Sequence, residues 1–584
     1  MHRRLRLRYG APLLALLIGL AGGDSRADRI LDLTRNVKPR PRKPTLPDLR
    51  NDDRVSREVA DIVEQSPGAD VELILTFDQP PGVIEFQKIS FFGGKILYAF
   101  EGVNGVAVSM PPDRVAEFLA TASAVDGAPT IQGVGWDAPM NFAMDIARSA
   151  SSMPGESGSA AAAMGAGTAV ELPDITARGP ADVTIALIDS GVDIHNDLDL
   201  QLLGCVDVFQ PKDEPGAIQS LTPSHRGLEL LACTASSDPF GHGTHIAGIL
   251  VGNGDKSGGL YRGIAPQADL ISVRVLDDQG QSTIGAVITA LDWVVANKDP
   301  YNIRVANLSL GGPFFVNADK DPLVRAVERA WNAGIVVVTS AGNHGKHGNF
   351  LITRPGNSSR VITVGSLTDW NSQEFVDDFM STFSSRGPTH LDHFLKPDLV
   401  APGNRIIATR TPGSTLDMLL PGLSGALGAS YIEMSGTSMA APMVAASAAL
   451  MISKEPTLNP DTVKARLMAT ADDLPGTPIE HGTGRLNVVE AMLHTGYTQY
   501  AASPALKLDK ECCGVIIPEL DGVWGPGWSS LSLWDDVALW NDAVLWSDTA
   551  LWSDTVLWSD AVLWSDAVLW GDAVLWSDSI PDPD

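Results

Sequence analysis

Three short stretches of the chain hold residues that could carry out acyl transfer. They are Ile188-Asp189-Ser190-Gly191-Val192-Asp193, Gly241-His242-Gly243-Thr244-His245 and Ser435-Gly436-Thr437-Ser438-Met439-Ala440. Each lies in a glycine-containing turn beside an apolar run. A serine hydroxyl is a poor nucleophile at neutral pH and gains strength from an adjacent base that a third group holds in place. Ser438 supplies the hydroxyl. His242 takes its proton and later returns it to the leaving group. Asp189 fixes the imidazole tautomer and stabilises the imidazolium. Each motif alone has a plainer reading: Asp-Ser-Gly is a common turn, and Thr437 or Ser438 can cap an ordinary helix. His242 and His245 also form His-x-x-His, as do His344 and His347, but no third metal ligand stands near either pair. The three motifs together favour the nucleophilic reading.

The order Asp, His, Ser, in these local contexts, resembles the subtilisin-like serine peptidases (subtilases, peptidase S8) over roughly residues 180–495. The resemblance implies further roles. Asn343, in Ala341-Gly342-Asn343, would give its side-chain amide to the oxyanion, with the Ser438 backbone N–H as second donor. Ser309, Leu310, Gly311 and Gly312, with Ala341 and Gly342, would form the edge on which an extended peptide substrate pairs. Glycine there would leave a side-chain pocket open, and Leu310 and Gly311 imply an open, mainly apolar cleft. The chemistry needs no cofactor. The family often carries structural calcium; Asp255, Asp277 and Asp278 offer oxygen, but no ligand series forms, and solvated carboxylates are the plainer reading.

The elements that must position these groups are legible. Apolar runs at Thr184–Ile188, Leu270–Val275, Ile303–Ser309, Ile335–Thr339, Val361–Val364 and Leu399–Ala401 read as strands. Helical patterns fall at His242–Val251, Thr283–Ala296, Pro322–Ala333, Ser438–Met451 and Asp461–Ala471. Apolar strands alternating with helices predict an α/β fold, a mainly parallel sheet covered on both faces in three α/β/α layers. In such sheets ligands sit beyond the carboxyl ends of the strands. Asp189 and Asn343 fall just past two such ends, and Ser438 opens a helix whose positive end would face a developing oxyanion. The stretches 204–239, 369–394 and 412–429 read as loops.

With 584 residues the chain exceeds one core. A net charge of −28 argues against nucleic acid and anionic membrane surfaces as partners. Arg3, Arg4, Arg6 and Arg8 precede a short apolar run, Ala11 to Ala21, and a small-residue site at Ser25-Arg26-Ala27. Residues 1–27 therefore read as a cleaved signal peptide, by the general or the twin-arginine route, placing the mature protein outside the cell or on its surface. Of four cysteines, Cys205 and Cys233 are candidates to pair across an insertion, as an exported protein permits. Cys512 and Cys513 are adjacent and stand either free or bonded to another chain.

Residues 28–54 form a basic, proline-rich lead. Residues 55–136 have a mixed pattern: strands at Val71–Phe77, Gly105–Met110 and Thr130–Val134, and a helix from Pro112 to Ala122. By position and pattern they resemble the family's inhibitory propeptide, a small α+β domain that helps the protease fold and then blocks it. Residues 137–179 form a linker. Its Ser-, Ala- and Gly-rich stretch Ser149–Ala169 is an accessible place for maturation or trimming. After the catalytic domain, residues 180–495, comes a linker, residues 496–530. In the tail, residues 531–584, tryptophan recurs every six residues from Trp534 to Trp576. A six-residue step turns about 240° on a helix and makes no single face, whereas on a strand it keeps Trp on one side. The tail suits attachment, sorting or self-association, or is an inert extension. The leading reading is an exported endopeptidase acting on proteins or peptides. The alternative is a surface or assembly protein, built around the tail, whose protease domain serves its own maturation.

Overall fold

Period-two alternation builds the first part of the chain. Strands β1 (Val71–Phe77), β2 (Lys95–Phe100), β3 (Gly105–Met110) and β4 (Ile131–Trp136) form an antiparallel sheet in the order β2-β3-β1-β4. Helices α1 (Arg57–Gln65), α2 (Val83–Phe91) and α3 (Pro112–Thr121) accompany it. The protein is described by a computed structural model covering residues 49–516, apart from residues 67, 101, 122–128, 143–157, 160–182, 210–227, 315, 370–377, 421–428 and 510–513. The expected signal peptide, Cys512-Cys513 and the tryptophan repeats lie outside the described residues. So does the Ser149–Ala169 stretch, except residues 158 and 159.

The central strands of the four-stranded sheet, β1 and β3, are largely buried on both faces. Val71, Leu73, Leu75 and Phe77 pack with Val106, Val108, Met110, Val115 and Leu119 in a core of their own. Ile74 and Ala107, on the opposite face, join Phe100 and Val103 in the larger core of the following domain. Two polar contacts accompany this packing. The Gly102 N–H donates to Asp292 at 3.4 Å, and the Gly285 N–H donates to Asp137 Oδ1 at 2.9 Å. Burial pushes the Asp137 carboxyl up to about 7, against that hydrogen bond.

Past Asp137 the chain enters β5 (Pro139–Phe142); a two-residue strand, β6 (Gly158–Ser159), follows. The main sheet then begins. It comprises β7 (Thr184–Asp189), β8 (Leu202–Asp207), β9 (Asp269–Arg274), β11 (Ile303–Leu308), β13 (Val336–Ser340), β14 (Ile362–Thr368), β15 (Phe379–Met380) and β16 (Leu399–Pro402). The order is β15-β14-β13-β11-β7-β9-β8, with β16 also on β14, and β15 alone is antiparallel. The short strands β10 (Gln281–Thr283) and β12 (Leu310–Gly311) flank β5 in a separate three-stranded sheet. Strands β17 (Ile406–Thr409) and β18 (Tyr431–Met434) form a third, with β6 on its edge.

Helices α4 (His242–Val251) and α8 (Thr437–Lys454) pack together on one face of the main sheet. Helices α5 (Ile284–Asn297) and α6 (Pro322–Asn332) pack together against β7 and β13 on the other. A short α7 (Thr415–Leu419) lies in the stretch read as the third loop. This is the expected three-layer α/β/α arrangement. The apolar runs became strands because both faces are covered: β7, β13 and β14 are buried at every position. One correction falls at 204–239, which begins within β8. That strand is an edge with half-exposed positions, so it lacks the continuous apolar run that marks its neighbours. Cys205, on β8, is bonded to Cys233, their Cα atoms 5.1 Å apart.

Candidate active site

Three adjacent parallel strands deliver three site segments side by side. β7 ends on Asp189, β11 leads into Ser309, and β13 leads into Ala341-Gly342-Asn343. Neighbouring strands lie only about 4.8 Å apart, so their carboxyl ends present these groups together. The remaining two groups arrive on helix N-termini. His242 is the first residue of α4 and Ser438 the second of α8.

Asp189 and His242 are fully buried, with His242 Nδ1 at 2.7 Å from Asp189 Oδ1. An ionised carboxylate only accepts, so Nδ1 carries a proton and Nε2, itself buried, is the nitrogen left to act as base. The Ser190 N–H donates to the same Asp189 oxygen at 2.7 Å, fixing its rotamer. Behind this pair stands Asp238, a residue the sequence reading missed. Its carboxylate accepts the N–H groups of Gly241 and Thr244 at the start of α4, and the hydroxyls of Thr244 and Ser190. Ser190 Oγ in turn accepts the Gly243 N–H at 2.9 Å. Asp238 thus ties the Asp189 turn to the His242 helix. Burial raises its carboxyl, and these four hydrogen bonds oppose the rise. The available signal was an aspartate just ahead of an apolar helix.

The turn also depends on close backbone approach. Gly191 has φ 110°, and a Cβ there would overlap the Ser237 carbonyl. His245 has a separate task. Its Nε2 donates to the carbonyls of Ile406 and Ile432 at 3.1 and 3.2 Å, pinning α4 to β17 and β18. Burial, helped by repulsion from His242, holds its pKa down to about 3. With His242 Nδ1 on Asp189 and His245 Nε2 on two carbonyls, these nitrogens cannot share a metal. Asp277 closes a turn by accepting the N–H groups of Gln279 and Gln281. Among the described residues no three metal-ligating side chains converge.

At the nucleophile, Ser438 Oγ donates to the Ser309 carbonyl at 2.9 Å, and Ser309 Oγ donates back to the Ser438 carbonyl at 2.9 Å. The second bond has a cause in the sequence. Pro442 lies inside α8 and has no N–H for the carbonyl four residues earlier, which is that of Ser438. Ser309 supplies the missing donor, and Asn307 Nδ2 holds Ser309 Oγ at 3.0 Å. Ser309→Ala is therefore expected to cost about 1–3 kcal/mol, the penalty of an unsatisfied buried acceptor. Urea unfolding in a Ser438→Ala background, where no self-digestion intervenes, measures it.

Asn343 Oδ1 accepts the Thr437 N–H and the Thr437 hydroxyl, each at 3.0 Å. Because a backbone N–H needs an acceptor, this fixes the amide orientation. The buried Nδ2, with no hydrogen-bond partner among the described residues, is left as donor. The Ser438 N–H lies in the first turn of α8, whose N-terminal N–H groups point out of the helix. At the residues expected to form the substrate edge, β5 lies antiparallel between β10 and β12, with Gly311 paired to Asn141 and Leu310 to Phe142. The Leu310 side chain does not line an open cleft. It is fully buried in the main core, because it alternates inward directly after β11.

The comparisons with known proteins agree with this geometry. The profile of the subtilase family matches residues 181–485. Serine protease AprX of Bacillus subtilis (strain 168) is 40% identical over 319 residues, covering 54% of this chain and 66% of AprX. Subtilisin DY of Bacillus licheniformis is 35% identical over 257 residues, 44% of this chain and 79% of its own. The crystal structure of fervidolysin from Fervidobacterium pennivorans, a keratinolytic enzyme related to subtilisin, superposes with a TM-score of 0.54. It covers 74% of this chain and 63% of fervidolysin at 21% identity, a likeness of fold. The chain belongs to the subtilase family, and the region that carries Asp189, His242 and Ser438 is a subtilisin-like serine endopeptidase domain.

Proposed function

We propose that the chain is an exported serine endopeptidase, made as a precursor that cuts itself. Ser438 Oγ attacks the acyl carbon while its proton passes to His242 Nε2. The tetrahedral oxyanion accepts from Asn343 Nδ2 and the Ser438 N–H. Collapse of that intermediate breaks the C–N bond, and His242 protonates the departing amine. Water then enters by the same route, giving its proton to His242 and releasing the acid from Ser438. Removing the Asn343 donor by Asn343→Ala is expected to lower kcat by about 10²–10³ with KM little changed, a loss known from subtilisin itself. Steady-state kinetics on a peptide substrate measures it.

The observation that carries the precursor reading is the position of β5. Residues 139–142 occupy the middle of a three-stranded sheet whose outer strands belong to the endopeptidase domain. An extended peptide held by backbone pairs on both sides is how a substrate chain is gripped. Its source is the chain's own N-terminal domain, residues 55–136, in the role of inhibitory propeptide. The pairing steps from Gly311–Asn141 to Leu310–Phe142 and next to Ser309, whose carbonyl holds the Ser438 hydroxyl. One residue past Phe142 in sequence is Ala143, so the expected cut is Ala143–Met144. Mapping all chain termini of the wild type and of Ser438→Ala by mass spectrometry tests this. The expected wild-type product begins at Met144, and the variant stays whole. Identical cutting of both proteins would assign processing to another protease.

The net charge and the basic, apolar leader support export, and the subtilisin relatives support action outside the cell on protein or peptide substrates. The tryptophan tail is proposed as the address that retains the enzyme at a surface.

A further inference from the structure

The family profile ends at residue 485, but the chain does not leave the domain there. Residues 498–506 lie back over it as a strap. The Thr498 N–H and carbonyl pair with the Thr462 hydroxyl at 3.0 and 2.7 Å, and the Ala501 N–H donates to Asp461 Oδ1 at 3.0 Å. Further on, the Pro504 carbonyl accepts the Leu395 N–H at 2.8 Å, and the Leu506 N–H donates to the His393 carbonyl at 2.9 Å. Thr498, Ala501, Ser503 and Leu506 are buried.

Beneath the strap lies a charge cluster that the proposed chemistry does not use. Lys396, Asp398 and Lys464 are all fully buried. Asp398 Oδ2 holds Lys396 Nζ at 2.6 Å, and Oδ1 holds Lys464 Nζ at 3.1 Å. Two ammonium groups thus share one carboxylate, and burial holds both below the ordinary lysine range. Such a cluster is stable only when its donors and acceptors are filled. The strap fills one place: Ser503 Oγ donates to Asp398 Oδ1 at 2.6 Å and accepts from Lys464 Nζ at 2.9 Å. The cluster reaches the active site through one strand. Lys396 Nζ donates to the Val361 carbonyl at 2.9 Å, and Asp398 Oδ2 accepts the Thr363 N–H at 2.8 Å, which sets the start of β14. On β14 the Val364 carbonyl accepts the Ala341 N–H at 2.9 Å, at the head of the turn that carries Asn343.

We propose that residues 498–506 are a completion strap: the oxyanion turn becomes ordered only when this segment has docked. A chain made and exported from its amino end delivers these residues after Ser438, so self-cutting waits until the strap has followed. The inference rests on the reading of the chain as a self-cutting precursor.

The test uses the full-length precursor, its variants Ser503→Ala and Ser503→Arg, and a synthetic peptide of residues 497–509. Ser503→Arg sets a third cation beside Lys396 and Lys464 and should undock the strap, slowing self-cutting by about 10²-fold or more. Ser503→Ala removes one hydroxyl from the cluster and should slow it by about tenfold. Excess peptide should restore the Ser503→Arg rate at least about tenfold, because the docking place is vacant there, and leave the wild type unchanged. In a Ser438→Ala background, Ser503→Arg should speed amide hydrogen exchange at residues 341–343 by about 10²-fold and leave the separate core of residues 71–134 unaltered. A Ser503→Arg precursor that cuts at the wild-type rate overturns the proposal. Slowed cutting with unchanged exchange at 341–343 overturns it too, as does slowed cutting that the peptide fails to restore. A wild-type precursor that never cuts itself would instead overturn the precursor reading, and the exchange measurement alone would then decide the strap.

Discussion

Ser438→Ala is expected to lower kcat by about 10⁶ and to leave the precursor uncut. That loss is the one known from subtilisin rather than derived from this geometry. The structure explains why so little remains. Without Oγ no acyl-enzyme forms, and the only route left is direct attack by water. Asn343 Nδ2 and the Ser438 N–H still stabilise the oxyanion, because Thr437 holds Asn343 and the backbone of α8 does not change. About 10³–10⁴ of acceleration over the uncatalysed reaction therefore persists. The same reasoning makes the losses non-additive. His242→Ala alone, and the Ser438→Ala/His242→Ala pair, should each come within about tenfold of Ser438→Ala, since the base has no function without the hydroxyl. Single-turnover assays on one peptide substrate read all three. A double variant about 10⁶ below either single would mean that the two residues act independently, and would sink the proposed mechanism.

Asp189→Ala is expected to cost about 10⁴ in kcat, again a magnitude from related serine proteases. Here the geometry adds a finer expectation for Asp189→Asn. A single oxygen, Oδ1, accepts from both the Ser190 N–H and His242 Nδ1. An asparagine that keeps its carbonyl oxygen at that position retains both bonds and therefore the productive tautomer. What it loses is the negative charge opposite the imidazolium. Asp189→Asn should thus fall less far than Asp189→Ala, and the difference measures orientation apart from charge. Equal losses would show that the amide has turned its NH2 toward His242 and trapped the wrong tautomer. The comparison is made at one pH on the plateau of the wild-type profile.

The parts of this molecule legible in sequence are those written locally. Asp189, His242 and Ser438 each sit in a glycine turn beside an apolar run, because a sharp turn at a strand or helix end needs both. The buried parallel strands are legible as unbroken apolar segments. What escaped depends on partners far apart in the chain. Thr353 fills a gap only because Gly311 and Gly342 converge on it. Ser309 matters twice, as the residue that follows β11 and as the donor that Pro442 cannot be. Strand β5 carries no run of its own and is a strand because β10 and β12 grip it. Strand β8 was hidden by half-exposure at a sheet edge, and β2 by the mixed burial along Lys95–Phe100.

The sheet of the N-terminal domain, apolar on both faces, has a kinetic consequence. Ile74, Phe100, Val103 and Ala107 are dry only while that sheet lies against the endopeptidase domain. Were the N-terminal domain detached, as the precursor reading proposes, the fragment would present this face to water and keep one small core among the described residues, Val59 to Val134, to hold itself together. A domain of that size opens often, and an open chain would be a substrate for the protease domain it is proposed to cover. On the proposed precursor reading, departure and destruction would become one event: release would act as a ratchet, and each molecule that shed its cover would shorten the lifetime of the covers in solution.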